Sequence, residues 1–163
     1  MLLIQFERLE GRSGHDTGRA LLARMYLEAA GNAMPEIRIA PGGKPYFPGN
    51  PLYFSISHCK NPVFCALSDV PVGIDAEEPD RQVSPRLAEK ILSGPEYERF
   101  LRCPDRNAAL LRFWVLKEAA VKLTGRGLHG YPNQTDFSPD DPRIRILDGC
   151  PVAVFRQEEP HVI

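Results

Sequence analysis

Residues 108–124 constrain the fold more than any other stretch of this chain. They are strong helix formers, and apolar side chains fall nearly all round the helix they predict. A helix that is apolar on every side belongs in a core. Lys117, Glu118 and Lys122 nevertheless sit in the middle of it. Buried charge is expensive unless it pairs with another charge, a metal or a phosphate. Glu118 and Lys122 are four residues apart and share a face. A carboxylate flanked by two ammonium groups on a core helix suits a metal-bound polyphosphate. The same residues suit an exposed Glu–Lys pair worth little, and the segment alone leaves both readings open.

With 163 residues the chain has room for one domain with a substantial core. A net charge of -1 argues against a general nucleic-acid binder, so any basic residues that hold anions must be placed locally. The opening residues 1–7 are too short and too soon charged for a signal peptide. No apolar run approaches the length of a membrane span. Cys59, Cys65, Cys103 and Cys150 form no C-x-x-C pair and no zinc-ligand spacing. They are expected to be reduced thiols in a cytoplasmic protein.

Along the chain, residues 2–7 predict a strand. Asp16 or Thr17 is the expected cap of a helix carrying Leu21, Leu22, Met25 and Tyr26, stopped by Gly31. Residues 37–40 predict a short strand, and 41–45 a turn. Residues 52–57 and 63–68 predict a hairpin with a long loop, and 72–77 a further strand. Ser84-Pro85 opens a helix to about residue 92, and Ser93 with Glu96 has capping-box spacing for another. Asp105 caps the core helix, which Gly125 ends. Residues 143–147 and 152–156 predict a closing hairpin. The whole divides near residues 69–71 into two similar patterns of strands and helices, with no sequence repeat to support a duplication.

Asp75 and Glu77 lie two apart on a predicted strand, so their carboxylates point the same way. Val72 and Ile74 do not share that common face. Two carboxylates on one face need a cation between them, and Mg²⁺ with oxygen ligands is the usual answer; two solvated acids at a strand end are the plainer one. Glu118 is a possible third acid. Ser57 and His58 end a strand and offer hydroxyl, backbone and imidazole groups to a phosphate or an adenine edge, or make a structural turn. Lys44 follows two glycines as a phosphate contact or a solvated turn residue. Arg19 reads as an exposed helix charge. Neither a P-loop nor a dinucleotide fingerprint is present.

Taken in order, Gly43-Lys44-Pro45, Phe54-Ser55-Ile56-Ser57-His58, Gly73-Ile74-Asp75-Ala76-Glu77, Trp114-x-x-Lys117-Glu118-Ala119-x-x-Lys122 and Gly125-Arg126-Gly127-Leu128 resemble the Sfp-type 4′-phosphopantetheinyl transferases. The resemblance runs from about Arg19 to Leu128. It implies an α+β fold, a single domain of two pseudo-symmetric α/β halves (about 1–70 and 71–163) with coenzyme A and Mg²⁺ in the cleft between them. It implies transfer of phosphopantetheine from coenzyme A to a serine of an acyl or peptidyl carrier protein, with adenosine 3′,5′-bisphosphate as the other product. Asp75, Glu77 and Glu118 match the metal residues, and Glu118 the group that takes the serine proton. Asp75 and Lys122 join Glu118 as catalytic residues. Lys117 and Lys122 match phosphate-binding lysines, Ser57 and His58 positions near the adenosine and 3′-phosphate, Arg19 an arginine on the 3′-phosphate, and Lys44 the G-K-P lysine. With two halves in one chain, a monomer is expected, with no membrane or nucleic-acid partner.

The chain departs from the family pattern in its shorter stretch ahead of the first helix, where basic residues often hold coenzyme A, and weaker affinity is one expectation. Val115, Cys59 and Ala76 also replace commoner residues, and Glu78 adds an acid of unassigned role. A binding module without transferase activity is the alternative function. Another Mg²⁺-dependent enzyme acting on a different diphosphate is the third.

Overall fold

The structure is a computed structural model that describes residues 1–126 and 134–157. Gly127 and Leu128 of the last motif lie outside the described residues.

The described elements are β1 (Leu2–Arg8), α1 (Gly14–Ala30), β2 (Arg38–Ile39), β3 (Pro45–Tyr46), β4 (Tyr53–His58), β5 (Pro62–Ser68), β6 (Val72–Ala76), α2 (Arg86–Ile91), α3 (Gly94–Arg102), α4 (Arg106–Thr124), β7 (Ile144–Leu147) and β8 (Cys150–Arg156). They form two antiparallel three-stranded sheets, ordered β1-β5-β4 and β6-β8-β7, and a two-stranded ribbon of β2 and β3.

Side-chain alternation along the strands stacks these elements in layers. On β5, Val63, Cys65 and Leu67 pack with Leu21, Leu22 and Met25 of α1. Phe64 and Ala66 of the same strand face the second sheet, where they meet Ile74, Val152 and Val154. The other face of that sheet offers Ala153 and Phe155 to Val115, Leu116 and Ala119 of α4. The order is thus α1, first sheet, second sheet, α4, and β5 is buried on both faces.

The core helix forms as its sequence predicts. Asp105 accepts a hydrogen bond from the Ala108 N–H (3.0 Å), and Gly125 ends the helix at φ 70°. Ten of its residues are buried, Lys117 among them. Three boundaries differ from expectation. Helix α1 starts earlier because Ser13, not Asp16 or Thr17, is the cap and accepts from the Asp16 N–H. His58 and Pro62 belong to the ladder, so only residues 59–61 connect β4 to β5 and the loop is short. The last hairpin turns on Asp148 and Gly149 alone, both at positive φ (49° and 78°), the pattern of a type I′ turn.

Gly73 allows α4 to lie directly on β6. A Cβ there would sit 2.1 Å from the Ala119 carbonyl oxygen and 2.4 Å from the Leu123 nitrogen, both backbone atoms that cannot swing aside. Gly73→Ala should therefore lower unfolding stability by about 3 kcal/mol, the upper range for overpacking a core. Urea denaturation checks this.

Candidate functional site

Residues 73 and 75 face α4, while Val72, Ile74 and Ala76 face the first sheet. Asp75 is buried at 6% exposure. Its Oδ1 accepts from Ser57 Oγ (3.0 Å) and from Lys122 Nζ (2.7 Å). Burial pushes its carboxyl above the usual carboxylate range against the pull of Lys122. Just beyond the strand, Glu77 is raised by burial and by Asp75, while Arg81 opposes the shift through a direct ion pair.

Glu118 completes the group from α4. Its Oε1 is buried without a hydrogen-bond partner among the described residues. Burial raises its carboxyl first, then Asp75 and Glu77, with Lys122 opposing. A buried carboxylate oxygen without a partner is rare and calls for an explanation such as an ion. Among the described residues no group of three His, Cys, Asp or Glu side chains is placed to hold a metal ion. Lys122 pairs with Asp75, and Arg81 with Glu77. The donor set suits a hard cation that keeps waters and takes only one or two carboxylates plus substrate phosphates, as Mg²⁺ does.

Lys122 joins these acids to a pocket of about 410 Å³. The pocket is lined by Arg19 and His15 of α1, Lys44 of the 41–45 turn, His58 of β4 and Lys122 itself. Five basic side chains around one space favour an anionic ligand. Burial, with Lys122 and His15, holds His58 below the ordinary imidazole range against the opposing backbone hydrogen bond of Gly14. Gly14 and Gly18 permit this arrangement, since a Cβ at either would meet the His58 ring at 3.1 or 3.4 Å.

Three residues sit differently from their expected roles. Lys117 is 1% exposed, and its ammonium lies on Glu96 (2.7 Å) and on Thr135. It turns to the α3 side of the helix and is not among the residues lining the basic pocket. Ser57 points at Asp75, and its neighbours Ile56 and His58, not Ser57, line the pocket. Lys44 lines the pocket and donates to the carbonyls of Leu123 (2.8 Å) and Val72 (3.2 Å), and burial lowers its pKa.

Three other residues matter that the sequence reading left without a site role. His15 shares the α1 face with Arg19, and their spacing of four residues was a usable signal. Glu96 takes bonds from the Ser93 and Phe137 N–H groups as well as from Lys117 and Thr135, beyond the capping box that its spacing shows. Glu78, without an assigned role until now, accepts from the Asn61 N–H (3.0 Å) and steadies the 59–61 connection.

Two outcomes follow from these charges. Lys117→Met leaves the Glu96 carboxylate buried and uncompensated, and should cost about 3–5 kcal/mol of stability; adding Glu96→Gln should recover part of it, as thermal melts would show. Asp75, Glu77 and Glu118 protonate more readily in the fold than in the unfolded chain. The stability they lend is therefore complete below their ordinary values of 3.8 and 4.5 and drains away as pH rises through the elevated ones. Mg²⁺ should therefore raise the melting temperature more at about pH 7.5 than at about pH 4.5, measured against EDTA at each pH.

A profile of the 4′-phosphopantetheinyl transferase superfamily matches residues 71–157, just over half of the chain. The chain is similar to the 4′-phosphopantetheinyl transferase psf-1 of Bacillus pumilus, 32% identical over 116 residues, which are 70% of this chain and 46% of that protein. It is 33% identical over 115 residues to the 4′-phosphopantetheinyl transferase gsp of Aneurinibacillus migulanus, covering 67% of this chain and 47% of the relative. The AcpT 4′-phosphopantetheinyl transferase of Salmonella typhi is 37% identical over 114 residues, covering 64% and 57%. The chain spans about half the length of the curated relatives it matches. Strand β6 with Asp75 and helix α4 with Glu118 and Lys122 both fall inside the profile match, and the chain belongs to the 4′-phosphopantetheinyl transferase superfamily, with the motif order of its Sfp-type members.

Proposed function

We propose that this protein transfers the 4′-phosphopantetheine group of coenzyme A to a serine of an acyl or peptidyl carrier protein, with Mg²⁺, releasing adenosine 3′,5′-bisphosphate. The observation that carries the proposal is the partnerless buried oxygen of Glu118 beside Asp75 and Glu77, next to a pocket ringed by basic side chains. On this reading the two sheets belong to pseudo-symmetric halves of one domain and the basic pocket is part of the cleft between them.

Transfer at a diphosphate is driven by positioning and charge neutralisation more than by covalent chemistry. Asp75, Glu77 and Glu118 would hold the Mg²⁺, which supplies neutralisation of the diphosphate when bound. His15, Arg19 and His58 would bind the nucleotide phosphates. The carrier serine oxygen bonds to the β-phosphorus, and the bond from that phosphorus to the bridging oxygen of the diphosphate breaks. Glu118, its basicity raised by burial and two neighbouring acids, takes the serine proton directly or through water. Lys122, standing between Asp75 and the pocket, offers its ammonium to the charge that builds on the departing phosphate.

Intact mass spectrometry of an apo carrier protein after incubation with the protein, coenzyme A and Mg²⁺ tests this, with EDTA as control. A metal-dependent gain of one phosphopantetheine is the expected outcome. Coenzyme A binding without modification of fatty-acid or peptide carriers would instead make the protein a binding module. Glu118→Gln should lower turnover by about 10²–10⁴-fold, the range for loss of a general base. Lys122→Ala should also impair turnover, whereas the exposed Lys60→Ala should leave it within about twofold, as for surface changes away from a site.

A further inference from the structure

Strands β4 and β6 run side by side, yet no backbone ladder joins them. The N–H groups of β6 on that side are satisfied by side chains instead. Ile74 N–H donates to Ser55 Oγ (3.1 Å), and Ala76 N–H donates to Ser57 Oγ (3.1 Å). Lys44 continues the row by donating to the Val72 carbonyl. Residues 72, 74 and 76 repeat with the period of a strand, so this is one continuous seam.

The two serines differ in one respect. A serine hydroxyl accepts through its lone pairs and has a single proton to give. Ser57 accepts from Ala76 and gives its proton to Asp75 Oδ1 at 3.0 Å. Both residues are buried, at 3% and 6% exposure. The hydroxyl is held from one side by the backbone of the strand that carries Asp75, and from its own side by β4. Among the described residues, Ser55 has the bond from Ile74 alone.

We propose that Ser57 is a positioning residue for Asp75: it fixes the carboxylate of the cation site against the β4–β6 seam and does not contact the nucleotide. This inference rests on the function proposed above. It assigns the second serine of Phe54-Ser55-Ile56-Ser57-His58 to the acid cluster and leaves His58 to the pocket.

Ser57→Ala, Ser57→Thr and Ser55→Ala test it through three readouts: Mn²⁺ affinity by electron paramagnetic resonance, coenzyme A affinity in EDTA by calorimetry, and amide hydrogen exchange at Ile74 and Ala76. Ser57→Ala should weaken Mn²⁺ binding by about tenfold, the lower range for losing a partner that orients a metal ligand. It should leave coenzyme A affinity in EDTA within about twofold, and should accelerate exchange at Ala76 but not at Ile74. Ser57→Thr, which keeps the hydroxyl, should recover Mn²⁺ affinity. Ser55→Ala should accelerate exchange at Ile74 and keep the wild-type Mn²⁺ affinity. A loss of coenzyme A affinity in Ser57→Ala with Mn²⁺ binding intact overturns the proposal, as does unchanged exchange at Ala76 or no recovery with threonine. If the wild type binds neither Mn²⁺ nor coenzyme A, the proposed function fails by itself. Ser57 is then judged by exchange at Ala76 and by a crystal structure of Ser57→Ala, in which an unmoved Asp75 side chain counts against it.

Discussion

Charge on a buried helix has to be matched by charge from elsewhere, and α4 carries three such charges within six residues. Lys117 is matched by Glu96 and so ties α4 to the start of α3 and to Thr135. Lys122 is matched by Asp75 and so ties α4 to β6. Glu118 has no such match for its buried oxygen. The helix is fastened at two points by ion pairs, and a buried oxygen of the carboxylate between them has no hydrogen-bond partner among the described residues. For Lys117 and Glu96, removing either partner is far costlier than the pair's net contribution suggests, because the survivor stays buried. The electrostatics that hold the second sheet against its helix are therefore the same electrostatics that shape the acid site.

Much of this was legible in the sequence, and the reasons are specific. The spacing of two singled out Asp75 of β6 and Glu77 just beyond it, and the apolar surroundings of Glu118 singled out the acid of α4. Caps at Ser93, Asp105, Gly31 and Gly125 were visible because they depend on neighbours in sequence. What stayed hidden depends on distant partners. Lys117 lies 21 residues from Glu96, and the capping box already gave Glu96 a sufficient local role. Nothing in the period-two spacing of Ser55 and Ser57 reveals that backbone amides of another strand lie opposite. The short β4–β5 connection was hidden because His58 and Pro62 look like loop residues yet extend the ladder.

The basic pocket and the acid cluster are neighbours rather than one site, and Lys122 belongs to both. That division fits a substrate with separate phosphate groups. On the proposed function, the three bases from α1 and β4 would meet a peripheral phosphate, and the acids would hold a cation at the reacting diphosphate. Lys44 stands apart from the other basic residues of the pocket because its protons already serve two carbonyls at the end of α4 and the start of β6. A cation near the last carbonyls of a helix is favourably placed in its dipole, so these two bonds help hold α4 against β6.

The ladders also bear on how the chain reaches this state. Strand β1 pairs Leu2 with Ser68, and β6 pairs Val72 with Arg156. Each sheet is thus closed by residues at opposite ends of its own stretch of chain, and neither ladder borrows a strand from the other stretch. Loop-closure entropy grows only as the logarithm of loop length, so the two closures cost nearly the same. Long-range pairings of this kind raise contact order and slow folding relative to helical domains. The polar seam takes one strand from each of these ladders, so β4 and β6 fasten together two sheets whose own pairings each stay within one stretch of chain.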